Sequence, residues 1–385
     1  MPPATSAPAR VLVVSHEAQR TGAPKVAVEV QRTLHGTDGT EVVSLLRGGG
    51  PLAAQFAATS SRLRREPFPR LRAVLRRSRR LRRSVDQLDE LIAWAMLKRV
   101  RPTVVYLNSA KSVCYVRPAL RLRIPTILHV HEVGVLASSA LRRYMVGERW
   151  KDVRLIACSS AARDGLAHQV DVPPEDIRVV HSPVDTTEVE RRGGPAGRGG
   201  SPGGRPFVVA ACGLVNDGKG ADLWVRVAKA VRDERPDLAV KFTWVGHRPG
   251  CWPADLAKEL GVDDRVEWVG EVEEPHSLIG GADVFTLPSR ADAFPVVVLE
   301  AMTLARPVVA FDVGGVREQL DDTGIVVAPE DVTAMAQAVV ALLEDETERR
   351  RLGAEAARRV RSLYDVGFFR EHIRRIVADA ASCPP

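Results

Sequence analysis

Residues 191–206, "RRGGPAGRGGSPGGRP", hold seven glycines, three prolines and no large apolar side chain. Such a segment cannot bury enough surface to offset the entropy of ordering it, so it reads as a linker. Before it, short β-branched runs alternate with helical patterns. "ARVLVVSH" precedes "TGAPKVAVEVQRTL", and further strands fall at "EVVSLL", "TVVYLN", "PTILHVH", "VRLIACS" and "IRVVHS". Helices are expected near 85–99, 139–149 and 160–169. After the linker the alternation restarts with "FVVAAC", a helix from about Ala221, "VKFTWVG", "RVEWVG", "DVFTLPS", a helix from Pro295, "RPVVAFD" and "GIVVAP". The fold class is therefore α/β, with two doubly wound, Rossmann-like domains facing across a cleft. The expected bounds are 1–190, the linker 191–206, 207–365, and a C-terminal helix within 366–385. That last helix exceeds what one sheet face needs and is expected to pack back on the first domain.

At 385 residues the chain suits two domains of ordinary size. Its start has no apolar leader and no stretch is apolar enough to span a membrane, so a cytoplasmic location is expected. The cysteines at 114, 158, 212, 251 and 383 form no C-x-x-C pair and read as buried thiols rather than a zinc site. The net charge of +7 is concentrated in 62–83, which carries eleven arginines and one Glu. Apolar positions Leu71, Val74, Leu81, Val85, Leu88 and Ile92 at helical spacing suggest a packed stripe with arginines outward. Either that face is simply solvated, or it contacts anionic lipid headgroups at the inner face of the membrane, or a phosphate-bearing acceptor. No recognition module for nucleic acid accompanies it, so no nucleic-acid partner is expected.

Three strand-to-helix junctions carry glycine and could offer backbone N–H groups to an anion. They contain Gly22, then Gly213 with Lys219, then Gly314 with Gly315. None is a P-loop or dinucleotide fingerprint, and ordinary turn glycines would look the same. Together they suggest a phosphorylated ligand. In "SRADAFPVVVLEAM", 289–302, Pro295 is suited to the first position of a helix that carries one carboxylate, Glu300, in apolar company. That carboxylate could accept two hydroxyls, as from ribose, or could be a structural ion-pair partner. Asp292 lies in the preceding loop.

The stretch "PSRADAFPVVVLEAMTLARPVVA" resembles the nucleotide-sugar motif of the retaining glycosyltransferases of family 4, which have the two-domain GT-B fold. Pro288, Ser289, Phe294, Pro295, Leu299, Glu300, Ala301, Met302 and Pro307 match the family pattern. "TGAP", "HVHE" at 129–132, "ACSSAARDGL", "PPEDIRVVHSPVD", "KGADL", "WVG" and "GGVRE" follow in family order. The resemblance implies transfer of a hexosyl or amino-hexosyl group, without metal or other cofactor, from a nucleoside diphosphate sugar, UDP-sugar foremost, to an acceptor hydroxyl. The acceptor would be a small molecule or lipid-linked, in cell-envelope or aminocyclitol glycoside synthesis. Glu300 would hold ribose, Asp292 with the Ala293 and Phe294 backbone the sugar, and Lys219 the diphosphate with the Gly22 loop and amides near Gly314 and Gly315. Gly270 and Glu271 would flank the base. His131, catalytic with Lys219 and Asp292, would face the reacting sugar, with Glu132 beside it on the acceptor side. A histidine bonded inside the core is the other reading of His131.

Two positions depart from the pattern. Leu214 stands where the family usually has an Arg, for which Arg290 could substitute, and Asp292-Ala293 replaces the usual Glu-Gly. The shorter acid leaves room for a different sugar substituent, such as an amino group. Those departures keep open a non-catalytic sugar-binding or scaffold subunit. A glycosidase using Asp292 and Glu300 as its acid and base would leave the phosphate loops unexplained.

Overall fold

In the computed structural model the described residues are 9–37, 39–75, 78, 80–144, 150–194, 204–246 and 252–382. The linker expected at 191–206 and the helix end expected at 145–149 fall largely outside them. The chain divides into two compact units, 1–181 with 367–385, and 182–366.

The first unit contains strands β1 (Ala9–Ser15), β2 (Thr40–Leu46), β3 (Arg62–Arg65), β4 (Val104–Asn108), β5 (Thr126–Val130), β6 (Val153–Ala157) and β7 (Ile177–Val179). Its helices are α1 (Gly22–His35), α2 (Ala53–Ala58), α3 (Pro69–Leu75), α4 (Arg82–Val100), α5 (Val116–Arg121), α6 (Val135–Tyr144) and α7 (Ser160–Val170). The strands are parallel in the order β3-β2-β1-β4-β5-β6-β7. Central strands are apolar on both faces because helices cover both, as in β4, where all five residues are buried.

The second unit opens with α8 (Thr186–Gly193) and contains β8 (Phe207–Cys212), β9 (Val240–Val245), β10 (Val266–Gly270), β11 (Val284–Leu287), β12 (Val308–Phe311) and β13 (Ile325–Val327). Its further helices are α9 (Ala221–Glu234), α10 (Trp252–Glu259), α11 (His276–Gly280), α12 (Val296–Thr303), α13 (Val316–Leu320), α14 (Val332–Glu344) and α15 (Glu346–Leu363). Its sheet is parallel in the order β10-β9-β8-β11-β12-β13. In both sheets the order reverses once, between β1 and β4 and between β8 and β11. In open α/β sheets, ligands bind beyond the C-terminal ends of the strands at such a reversal.

The division between the units falls at 181/182, ahead of residue 190, because α8 packs on α11 and α12. The last helix, α16 (Val366–Ser382), belongs to the first unit. Its Phe369, Ile373, Ile376, Val377 and Ala380 join a buried cluster with Val11, Val13 and Val30.

The arginine-rich segment departs from expectation in two ways. "RLRR" forms the edge strand β3, paired with β2, although arginines give no alternating pattern. Next, of the six expected stripe positions Leu71, Val74, Leu81 and Leu88 are exposed, Ile92 is half-buried and only Val85 is buried, while Arg72 is buried, so the stripe that periodicity selects is for the most part not the packed one. The packed face of α4 is Val85, Asp89, Ala93, Leu97 and Val100. Carboxylates decide this. Arg72 Nη1 donates to Asp89 at 2.8 Å and its Nη2 bonds Glu66, while Arg47 reaches Glu66 at 3.0 Å and Asp89 at 2.9 Å. The Tyr115 hydroxyl donates to Glu66 at 2.5 Å. Burial would push the Glu66 pKa up, but Arg47, Tyr115 and Arg72 together outweigh it and hold the carboxyl below its usual range. Two buried cations matched to two buried carboxylates leave no uncompensated charge, which is what permits burial at all. Of the cysteines, Cys114 and Cys158 are buried and Cys212 is half-buried, which corrects the expectation for Cys212; Cys251 and Cys383 lie outside the described residues.

Candidate functional site

In the second unit, the loops after β8, β11 and β12 interlock at the switch point. Gly220 has φ of +68°, and a Cβ there would collide with the Pro288 carbonyl; Gly314 has φ of +52°, and a Cβ there would collide with the Asp292 carbonyl. Only glycine allows these backbone approaches. Further bonds complete the frame: Arg290 N–H to the Gly218 carbonyl at 3.0 Å, Gly315 N–H to the Ala293 carbonyl at 3.0 Å, and Gln319 Nε2 to the Pro295 carbonyl at 3.1 Å. Gly213 is steadied from below, where its carbonyl accepts from Trp244 Nε1 at 2.9 Å. Trp244 itself packs against Trp224 and Trp268, with ring centroids 5.3 and 5.9 Å away.

Within this frame Lys219 and Asp292 meet as an ion pair. Lys219 is oriented by its own N–H, which donates to Asn216 Oδ1 at 2.8 Å. Arg290 lies nearby but is committed. It forks onto Asp222 with both bonds at 2.7 Å and reaches Glu330 at 3.1 Å and the Asp217 carbonyl at 2.8 Å. These bonds, those to Asp222 foremost, raise its pKa further. Arg290 therefore braces the β8–α9 loop, and Leu214, at the position of the missing cation, is exposed. The Gly315 amide, a candidate phosphate donor by sequence, is likewise already spent on Ala293.

Glu300 is buried on α12, with Oε1 at 3.7 Å from His276 Nε2; His276 is itself buried, with Nδ1 at 3.6 Å from Glu274. The sequence reading missed His276, which nothing but its proximity to Glu300 in space marks out. Pro295 precedes α12 as its N-cap, with ψ of 111°, rather than serving as its first helical residue. The Phe294 ring turns inward onto Tyr364 at 5.5 Å, leaving its backbone in the loop. Gly270 ends β10 and its carbonyl accepts from the Gly246 N–H at 2.8 Å, while Glu271 beyond it is exposed.

In the first unit, α1 begins at Gly22 behind Thr21, whose side chain makes no capping bond, and the space beside Gly22 is open. The Thr21 hydroxyl instead donates to Glu17 Oε1 at 3.5 Å. Asn108, ending β4, donates to the Ala23 carbonyl at 2.8 Å and so presents Oδ1 to His131 Nε2 at 3.0 Å. His131 therefore carries its proton on Nε2 and keeps a lone pair on Nδ1. Burial first, and then His16, push the His131 pKa down to about 3. The imidazole is neutral and acts as a hydrogen-bonding group, not as a cation. Beneath it, His129 Nδ1 bonds the Tyr106 hydroxyl at 2.7 Å.

Glu132 does not offer a free carboxylate. It accepts from the Ser109 hydroxyl, from Ala110 N–H at 3.1 Å and from His131 N–H at 3.0 Å. Ser109 is fully buried with φ of +95° and ψ of 141°, a conformation nearly confined to glycine and costing on the order of 1–3 kcal/mol. Glu132 clamps that strained turn in place. Asn108, Ser109 and His16 were not singled out by sequence. The signal available for Asn108 was a polar residue closing an apolar strand beside the switch point.

Two Rossmann-ordered sheets, each with polar and glycine-bearing loops at its switch point, define a doubly wound α/β protein. Residues 20–188 match the family described as Glycosyltransferase Family 4, and residues 205–345 match Glycosyl transferases group 1. The chain belongs to the family 4 glycosyltransferases, with the GT-B fold. It is 28% identical over 259 residues to the D-inositol 3-phosphate glycosyltransferase of Corynebacterium kroppenstedtii, covering 61% of this chain and 57% of that protein. It is 30% identical over 218 residues to the alpha-D-kanosaminyltransferase of Streptomyces kanamyceticus, covering 54% and 55%. The chain thus spans about half the length of the curated relatives it matches. In fold it resembles HepE of Anabaena, crystallised with UDP and glucose, with a TM-score of 0.76 at 17% identity over 96% of this chain and 100% of that one. Among the described residues, no helix is long and apolar enough to cross a membrane.

Proposed function

We propose that the protein is a retaining glycosyltransferase that moves a hexosyl or amino-hexosyl group from a nucleoside diphosphate sugar, UDP-sugar foremost, to an acceptor hydroxyl. The observation that carries this reading is the Lys219–Asp292 pair held at the second unit's switch point by interlocked glycine loops. In the unliganded protein Asp292 stores the lysine charge. When a diphosphate arrives, Lys219 turns to it and Asp292 is released to bind a sugar hydroxyl or amino group. Departure of the nucleoside diphosphate builds negative charge on phosphate, and a preorganised cation stabilises it. With Arg290 and the Gly315 amide committed elsewhere, Lys219 carries most of that task in this unit, and no metal or other cofactor enters the proposed reaction. Glu300 is the ribose-binding carboxylate, Gly270 and Glu271 flank the base, and neutral His131 offers Nδ1 to a substrate hydroxyl.

The relatives' names include an inositol phosphate glycosyltransferase and a kanosaminyltransferase. They support a polyol or aminocyclitol acceptor, or one in the cell envelope, and an amino-hexosyl donor that the shorter Asp292 could accommodate. The test is donor turnover with and without EDTA, in wild type and Lys219→Ala. The variant should lose about 2–4 kcal/mol of transition-state stabilisation, and EDTA should change nothing. Unchanged turnover of Lys219→Ala at saturating donor would refute the assignment. Exposed Leu214 and committed Arg290 favour one second reading, a non-catalytic sugar-binding subunit. Binding of UDP with neither transfer nor hydrolysis of any donor sugar would establish that reading instead.

A further inference from the structure

The first unit shows an inversion that the proposed reaction does not use. Helix α3 buries Arg72 against Asp89 of α4 and against Glu66, while Leu71 and Val74 beside it are 55% and 59% exposed. Phe68, just before α3, is 72% exposed and holds φ of +52°, a left-handed conformation uncommon for a bulky residue. Helix α4, packed on α3, exposes Leu88, Leu91 and Trp94 in addition to its buried face. Single exposed apolar chains need no explanation, but this many on two packed helices mark a contact surface.

The charge around that surface identifies what it meets. The sole acidic residue of 62–83 is Glu66, and it is consumed inside by Arg47 and Arg72. On α4, Asp89 is consumed by the same two arginines, Glu90 pairs with Arg117 at 3.0 Å, and Asp86 pairs with Arg143 at 3.5 Å and accepts from the Tyr144 hydroxyl at 3.0 Å. Arg62 and Arg65 on β3, Arg80 before α4 and Arg82 and Arg83 in its first turn are exposed, with Arg62 3.8 Å from Glu41. A second copy would set one arginine-rich face against another, which like-charge repulsion disfavours. An anionic lipid surface satisfies both parts, with arginines at the headgroups and aromatic and leucine side chains at the acyl boundary.

We propose that the α3–α4 face, through Phe68, Leu71, Leu91 and Trp94 with the surrounding arginines, docks the protein on an anionic lipid surface. The buried Arg47–Glu66–Arg72–Asp89 cluster holds α3 in the rotation that makes this possible. The inference stands apart from the transfer reaction and does not depend on it.

The test is flotation of the full chain with vesicles of phosphatidylcholine alone or with roughly 30% phosphatidylglycerol, at low and high salt. It uses wild type and Phe68→Ser/Leu71→Ser/Leu91→Ser, whose changes are all at exposed sites, with thermal melting as a check of folding. Wild type should float only with anionic vesicles and lose binding as salt rises, while the folded triple variant should bind at least about tenfold more weakly. No flotation with anionic vesicles at low salt would overturn the proposal, as would equal binding to neutral vesicles. Undiminished binding by the triple variant would assign attraction to the arginines alone and remove the apolar face from it. A wild-type dimer that the triple variant dissolves, without vesicle binding, would assign the surface to a second copy.

Discussion

At the scale of single residues, position 214 is the most informative. Leu214 lies exposed directly after Gly213, in the loop that ends at Lys219, where the family usually carries a second cation. Arg290, 76 residues further on, is a cation that could stand in for it as far as the sequence shows. Its fork on Asp222 is a relation between a loop after β11 and the first turn of α9, visible only once both are placed. Because Leu214 is already exposed, Leu214→Arg should leave stability within about 0.5 kcal/mol. Under the proposed function it should tighten UDP binding by about 1 kcal/mol or more, since a guanidinium suits a diphosphate. Titration calorimetry with UDP decides this, and unchanged or weaker affinity would remove the diphosphate from the Gly213 loop.

At the scale of elements, the strands and most helices were legible because β-branched runs and 3.6-residue spacing are local properties. What failed was local pattern overruled by distant charge. The apolar stripe Leu71, Val74, Leu81, Val85, Leu88 and Ile92 has helical spacing, yet buried Glu66 and Asp89 took Arg72 inward, and of the six only Val85 is buried while Leu71, Val74, Leu81 and Leu88 face solvent. Strand β3, written as "RLRR", was invisible because its place is set by pairing with β2 rather than by its own alternation. For the candidate site, Lys219 and Asp292 were both legible as types, and their pairing was not. Glu132 was legible as polar, but its task of clamping Ser109 required the backbone angles. The glycines carry a test at this scale. Gly314→Ala must pay for a left-handed backbone and for a collision with the Asp292 carbonyl. It should destabilise the chain by more than about 1 kcal/mol and weaken donor binding through displacement of the Asp292 loop. Chemical denaturation and UDP titration of the same variant read both effects, and wild-type values in both would show that the loops are not locked together there.

At the scale of the whole molecule, the histidines of the first unit set how stability responds to acid. Burial first, and neighbouring His131 second, hold His129 well below its usual range, and burial with His16 lowers His131 to about 3. In the unfolded chain each would titrate near 6.5. Below that pH the unfolded state binds protons that the folded state refuses, so stability falls as pH drops from about 6.5 toward the folded values. The lowered carboxylates behave differently. Glu17, held down chiefly by its bond to His16, and Glu66, held down by its arginines against burial, contribute stability that is complete above the ordinary Glu value. Theirs is lost only as pH falls below about 4.5. Between pH 6.5 and 5 the histidine effect is therefore separable. Wild type should lose melting temperature across that window, and His131→Asn, which keeps a polar group beside Asn108 but cannot take up a proton, should lose less. A melting-temperature slope between pH 6.5 and 5 that is identical in both would mean that His131 is protonated in the folded protein, and it would withdraw the neutral imidazole from the proposed site.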